Sequence, residues 1–327
     1  MGSRSNASNS VRYGLEELKF LRSFEDLSIF RDKLAYKLPT MRALTGSRTV
    51  PSVPPSVQIE PTNVCNLRCT TCPGARTSFG RGYMDFDLFQ KIVSEAADIG
   101  VKRIHLYLRG EPTLHPKIFD MIAFTKSKGL PVHMTTNGTT LTQERSAQLL
   151  QTGVNSADQL TISILGHSKE SHEATMVGID HDRVVQNIIE LMNLRKKLRV
   201  NGPVVETIFN APPENQHETR DFLRFWRGKV DHAREGDFSI EFKEYGTDAV
   251  NAVIRTDPCN GIYERLLVCW DGQVPQCNGD FDGELIIGDL KTDSIADTWN
   301  CERLQAIRRI HETRQLHDLP MCLHCDL

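Results

Sequence analysis

Residues 59–73 read IEPTNVCNLRCTTCP and place three thiols, Cys65, Cys69 and Cys72, in a Cys-x3-Cys-x2-Cys run directly after a strand-like segment. So short a loop can wrap three irons of one cube. A four-iron cluster normally takes four thiolates, so a loop offering three leaves one iron open for a ligand that is not protein. The alternatives are inert buried thiols or a structural zinc site. Zinc favours paired Cys or His knuckles that close a tetrahedron, and no fourth ligand lies nearby in sequence.

Outward from this loop the chain alternates strands and helices. Strands are expected over SVQIEPT (56–62), RIHLYLRG (103–110), PVHMTTNG (131–138), QLTISILG (159–166), PVVETIFN (203–210) and FSIEFKEYG (238–246). Helical spacing falls between them, near 85–100, 115–129, 142–153, 181–198 and 216–229. Strict alternation implies right-handed crossovers and a parallel sheet under helices. Six units fall short of a closed eight-unit barrel, so an α/β fold with a partial (β/α)6 barrel is expected over residues 56–250, its site at the C-terminal strand ends.

Residues 1–55 read as a helical extension (Leu15, Leu18, Leu21, Phe24, Leu27, Phe30, Leu34) and a linker, TGSRTVPSVPP. Residues 251–327 read as a smaller domain, with a hairpin-like stretch, LLVCWDGQVPQC, and one late helix, SIADTWNCERLQAIRRIHE. At 327 residues with 39% hydrophobic content the chain buries a large core without staples. Its net charge of -3 provides no basic field for nucleic acid, and none is expected as partner. No run approaches the roughly 20 apolar residues of a membrane span, and the start MGSRSNASNS lacks a secretory h-region. A cytoplasmic chain without a membrane partner is expected. Nine cysteines in that compartment point to metal binding or catalysis before disulfides.

With the cysteine loop, three further segments resemble the radical S-adenosylmethionine (radical SAM) superfamily. LRGEPTLHP carries Gly110, Glu111 and Pro112, similar to that family's Gly-Gly-Glu segment in its Gly-Glu-Pro form. TTNGT carries Thr135 and Asn137, and Ser163 lies on the fourth strand. The resemblance implies that Cys65, Cys69 and Cys72 hold a 4Fe-4S cluster and that Glu111 accepts hydrogen bonds from the methionine ammonium. It also implies that Thr135, Asn137 and Ser163 contact methionine and ribose. Alone, Gly-Glu-Pro is an ordinary turn and Ser163 an ordinary strand serine. Thr71 departs from the bulky or aromatic residue many members carry before the third cysteine.

The C-terminal segment resembles the shortened SPASM domain called twitch, which implies Cys259, Cys277, Cys322 and Cys325 as ligands of an auxiliary 4Fe-4S cluster. A zinc ribbon would use the same four thiols. Cys301 and Cys269 remain as packing residues or hydrogen-atom donors.

The resemblance implies a 5'-deoxyadenosyl radical that abstracts a hydrogen atom, with a flavodoxin or ferredoxin as electron donor. The C-terminal segment looks most like members acting on carbohydrates. The substrate expected is an amino sugar, aminocyclitol or aminoglycoside, oxidised or epimerised at a carbinol carbon in natural-product biosynthesis. Glu206, Asn210, Glu241 and Lys243 are candidates to hold its hydroxyls and ammonium groups, though a residue of this kind is more often a solvated strand-end residue. A maturase of peptide or protein side chains is the alternative within the family. A non-catalytic iron or zinc protein is the alternative outside it, and it leaves Glu111 and TTNGT without a duty.

Overall fold

Along the first four strands of the main sheet apolar side chains alternate with polar ones, and the apolar set of the sheet (Val57, Ile59, Ile104, Leu106, Met134, Ile162, Phe209) is buried under helices. The computed structural model describes residues 50–72, 80–236, 255, 258–281 and 283–325. The expected N-terminal helical extension, the strand over 238–246, Glu241 and Lys243 lie outside them.

Six strands follow the chain in order: β1 (Ser56–Ile59), β2 (Arg103–Leu106), β3 (Val132–Thr136), β4 (Gln159–Ile164), β5 (Val204–Phe209) and β6 (His232–Glu235). A seventh, β7 (Arg265–Val268), comes from the C-terminal segment. The sheet order is β6-β5-β4-β3-β2-β1-β7, and every pair is parallel. This is the order of a partial barrel with its first strand covered by its last.

Helices α1 (Phe86–Asp98), α2 (Ile118–Ser127), α3 (Gln143–Leu150), α4 (Lys169–Thr175), α5 (His181–Leu198) and α6 (Thr219–Trp226) connect the strands. In α1, Asp85 caps the Asp87 and Leu88 amides, and Phe89, Ile92, Val93 and Ala96 form the buried stripe. Phe209 of β5 stacks on Phe222 of α6 with ring centroids 4.6 Å apart, a pairing that adds about 0.5–1.5 kcal/mol to the burial of the two rings. Asp158, 1% exposed, accepts from the Val132 and Asn155 amides and from Lys126, binding the starts of β3 and β4 to the end of α2.

Two sequence expectations are corrected, and His232–Glu235, outside the expected strands, takes the sixth place in the sheet, beside β5. The first arm of the expected hairpin joins the main sheet: Val57 pairs with Leu266 and Ile59 with Val268. Its second arm, β8 (Gln273–Pro275), pairs antiparallel with β9 (Ile286–Asp289). The late helix is two, α7 (Ile295–Trp299) and α8 (Glu302–Thr313), because Cys301 takes extended backbone angles and its sulfur caps the Leu304 amide. Residues Pro51–Leu327 form a single compact unit, so the barrel and the C-terminal segment are packed as one.

His172 of α4 is 1% exposed, with its Nδ1 3.0 Å from Nδ1 of His181. Burial, then the neighbouring imidazole, pushes its pKa from 6.5 to about 4. Between these values the unfolded chain binds the extra proton, so the stability this neutral ring allows is complete above pH 6.5 and lost as pH falls toward 4. Unfolding free energy is expected to fall by up to about 3 kcal/mol across that window on this account, and His172→Asn to remove that part of the slope. Denaturant titrations at stepped pH check this; a difference between the two proteins that does not vary with pH refutes it.

Candidate functional site

The loops after the parallel strands converge at one edge, and the cysteine loop is the most heavily anchored. The Val64 amide donates to Thr62 Oγ1 at 3.0 Å, and Val64 carbonyl accepts from the Glu111 amide at 2.9 Å. Asn66 bonds both Asn137 and Thr139 beyond β3. Arg68–Cys69 pairs antiparallel with Met176–Val177, and the Thr70 amide donates to Thr175 carbonyl. The cysteine loop is therefore anchored to the turn after β2, to side chains beyond β3 and to the end of α4.

Gly110 and Glu111 explain the fit. A Cβ on Gly110 would lie 2.2 Å from Thr62 carbonyl oxygen and 2.7 Å from Val64 carbonyl oxygen, so only glycine lets this turn rest against the base of the cysteine loop. Pro112 opens the 3-10 turn Pro112–Leu114, a position where its missing N–H costs nothing. Glu111, 2% exposed, accepts four hydrogen bonds. Its Oε1 takes Thr113 N (3.0 Å), Thr113 Oγ1 (2.6 Å) and Thr136 Oγ1 (2.7 Å), and its Oε2 takes Asn137 N (2.7 Å). Burial pushes its carboxyl up from the usual range, and these donors draw it back. The carboxylate expected to receive the methionine ammonium is thus largely spent on the protein, with room for a further donor at Oε2. Asn137 is likewise occupied, by Asn66 and Thr139.

Thr135 and Ser163 sit half-buried on the inner face of the sheet, the face opposite the helices, in register with Thr161 and Ile208. Among the described residues neither hydroxyl has a hydrogen-bond partner, so both are available to a ligand. Below them a polar chain crosses every strand. Arg265 bonds Gln58 (3.2 Å), and Gln58 donates to Tyr107 carbonyl (3.0 Å); His105 meets His133 (3.2 Å), which meets Thr161 (3.0 Å). Thr161 donates to Glu206 at 3.3 Å, and Arg234 pairs with Glu206 at 3.0 Å. Glu206, a sequence candidate for substrate contact, is committed to this floor. Asn210 lies at the edge beyond β5, where a Cβ on Gly236 would come within 1.7 Å of its Oδ1.

A second buried group joins the barrel to the C-terminal segment. Glu60, fully buried, accepts from the Arg109 amide at 3.2 Å and the Trp270 amide at 3.3 Å. Burial pushes its carboxyl up, against the pull of the Arg109 guanidinium. Arg109 Nη2 donates to Asp280 carbonyl at 3.1 Å, three residues past Cys277. Cys269 follows β7 and lies beside this pair; burial, then the Glu60 charge, pushes its thiol well up. Neither Glu60 nor Arg109 stood out in sequence, although each is a charged residue flanking an apolar strand next to a motif.

Burial and the mutual repulsion of neighbouring thiolates push Cys69 up to about 12, and burial followed by the Glu111 charge raises Cys65. Burial and then the charges of Cys259 and Cys325 push Cys322 up to about 11, although a hydrogen bond from Gln276 lowers it. Cys65, Cys69 and Cys72 thus feel one another, as do Cys259, Cys322 and Cys325. Such thiols lose their protons only against strong positive charge, which a bound metal would supply. Among the described residues no three Cys, His, Asp or Glu donors meet at single-ion distance. Cys301 sits apart as a helix cap, its sulfur 3.6 Å from Ile287 carbonyl.

A partial parallel barrel with three thiols on its first loop and a cysteine-rich segment behind it defines a class of iron–sulfur enzyme. The family model of the radical SAM superfamily matches residues 59–225, just over half of the 327, and the chain belongs to that superfamily. A model described as an iron-sulfur cluster-binding domain, SPASM, matches residues 259–326. The enzyme uses S-adenosylmethionine and two iron–sulfur clusters. It is 25% identical over 314 residues to the tungsten-containing aldehyde ferredoxin oxidoreductase cofactor-modifying protein of Pyrococcus furiosus, covering 82% of this chain and 86% of that one. Against the AdoMet-dependent heme synthase of Methanosarcina barkeri identity is 36% over 140 residues, 39% of each chain. Among solved structures, BtrN in complex with AdoMet and 2-DOIA is similar in fold (TM-score 0.58, 16% identity, 84% of this chain and 94% of that one). SuiB of Streptococcus suis bound to precursor peptide SuiA is also similar (TM-score 0.62, 16% identity, 88% and 72%).

Gly110→Ala is expected to push the cysteine loop off its seat and lower iron in the reconstituted protein from about eight to about four atoms per chain, with the second cluster kept. Iron and sulfide analysis reads this directly. Full iron with unchanged S-adenosylmethionine binding would show that the close approach at Gly110 is not what seats the loop.

Proposed function

We propose that the enzyme oxidises or epimerises a carbinol carbon of a small polyhydroxylated molecule, with an amino sugar, aminocyclitol or aminoglycoside as the substrate class. In this reading Cys65, Cys69 and Cys72 hold the cluster that binds S-adenosylmethionine, and Cys259, Cys277, Cys322 and Cys325 hold the auxiliary cluster in a twitch-like segment. When bound, the cofactor and first cluster supply the radical that takes the hydrogen atom, and the auxiliary cluster supplies an acceptor for a second electron.

The observation that carries the proposal is the polar inner face. Thr135 and Ser163 offer unengaged hydroxyls above a floor in which His105, His133, Thr161, Glu206 and Arg234 are linked side chain to side chain. Such a floor keeps its shape whether or not a ligand is present, so ligand hydroxyls find rigid partners. The Thr135 and Ser163 hydroxyls orient the bound molecules, and the Glu111 network fixes the end of β3 that carries Thr135. The relative named for modifying a cofactor is consistent with a small molecule, whereas the solved folds include proteins bound to a small molecule and to a peptide alike. Cys269, buried beside Glu60 and Arg109 and kept protonated, is better placed than Cys301 to return a hydrogen atom.

The test is anaerobic reconstitution, reduction, and turnover with S-adenosylmethionine against a panel of aminocyclitols and aminoglycosides, read by mass. Loss of two mass units with about one 5'-deoxyadenosine per product means oxidation. An isomer gaining one deuterium from heavy water means epimerisation and is expected to be abolished by Cys269→Ala. Turnover of a peptide panel, with none of carbohydrates, overturns the proposal. The triple variant Cys65→Ala/Cys69→Ala/Cys72→Ala is expected to keep about four irons and lose cofactor cleavage; eight irons in it would sink the ligand assignment.

A further inference from the structure

The two cysteine sets differ in the side chains that reach their sulfurs. Cys65 has the Glu111 carboxylate near enough for its charge to act, and its sulfur accepts backbone contacts from Leu67 N at 3.5 Å and from Asn66 N. At the C-terminal set two side chains donate to cysteine sulfurs, while the buried Asp280, its amide bonded to Cys277 carbonyl, turns its carboxylate to the Glu284 and Leu285 amides. Arg255 Nη1 donates to Cys325 Sγ at 3.3 Å, and its own amide donates to Leu323 carbonyl at 2.8 Å, which fixes the residue against the Cys-x2-Cys turn. Gln276, 4% exposed and next to Cys277, donates Nε2 to Cys322 Sγ at 3.4 Å. His311, with no exposed surface, accepts the Cys259 amide at Nδ1, so its remaining ring proton is on Nε2.

We infer that Arg255 and Gln276 set the auxiliary cluster at a higher reduction potential than the cluster on the first loop, so that the chain itself builds a downhill direction for an electron from the first site toward the second. The inference rests on the ligand assignment proposed above. A cluster that gains an electron gains one negative charge. A guanidinium and an amide N–H aimed at ligand sulfurs stabilise that added charge, whereas a buried carboxylate beside the first loop opposes it. Both residues are positioning groups: they touch ligand sulfurs and need not touch substrate.

The experiment is a mediated redox titration of the full-length reconstituted protein, followed by electron paramagnetic resonance, in wild type, Arg255→Met, Arg255→Lys and Gln276→Leu. In wild type the auxiliary midpoint is expected above that of the first cluster. In Arg255→Met the ratio of reduced to oxidised auxiliary cluster at a fixed potential is expected to fall about tenfold, which is about 59 mV for one electron. Arg255→Lys should fall between this variant and wild type, and Gln276→Leu should shift the same way by less. The first cluster serves as internal control and stays unmoved. Unchanged or raised auxiliary midpoints in iron-replete Arg255→Met and Gln276→Leu overturn the inference. If Arg255→Met loses iron, Gln276→Leu and Arg255→Lys decide it. Failure of the ligand assignment reads differently: Cys322→Ala and Cys325→Ala would then retain all their iron.

Discussion

A carboxylate with almost no access to water is expensive unless donors surround it. Glu111 meets that condition with four hydrogen bonds drawn from its own turn and from the end of β3. Its amide is tied to the cysteine loop through Val64 carbonyl. The relative placement of the first three parallel strands at their functional edge therefore runs through a single residue. Gly110 lets the turn approach, Glu111 locks it, and Asn137 passes the constraint back to Asn66 between the first two cysteines.

The second constraint couples the barrel to the segment behind it. Glu60 and Arg109, each adjacent to a motif of the first site, reach the Trp270 amide and the Asp280 carbonyl. Trp270 in turn covers Gly82, where a Cβ would lie 2.2 Å from its ring. The two cysteine sets are thus carried by one continuous packed body, and the geometry between them is fixed by buried polar contacts and by the pairing of β1 with β7.

What was legible in sequence followed the strength of local signals. Strands with an apolar stripe, such as QLTISI and VVETIF, and capped amphipathic helices such as α1 announce themselves. The strand HARE does not, being a polar edge strand without an apolar stripe. The break before α8 was hidden because cysteine is an uncommon cap. The β7 strand looks like a hairpin arm in sequence because its partner β1 is far away along the chain, while its turn to Gln273 is local: the Cys269 amide does donate to Gln273 carbonyl. In the site, thiols on one short loop declare their purpose by spacing. Asn66, Arg109, Arg255 and Gln276 matter only through contacts made in three dimensions, and Glu206, correctly noticed as polar, proves to serve the floor of the sheet.

The pairing of β7 with β1 joins residues about 200 positions apart. During synthesis the first strand and its cysteine loop emerge early, yet one flank of that strand stays a bare edge until the C-terminal segment has left the ribosome, and such an edge invites wrong partners. Cluster assembly on the nascent chain must therefore contend with an unfinished sheet. The C-terminal segment acts as a late clasp: whatever iron it carries, its arrival converts an exposed strand into a central one and ends the interval in which the first site is vulnerable.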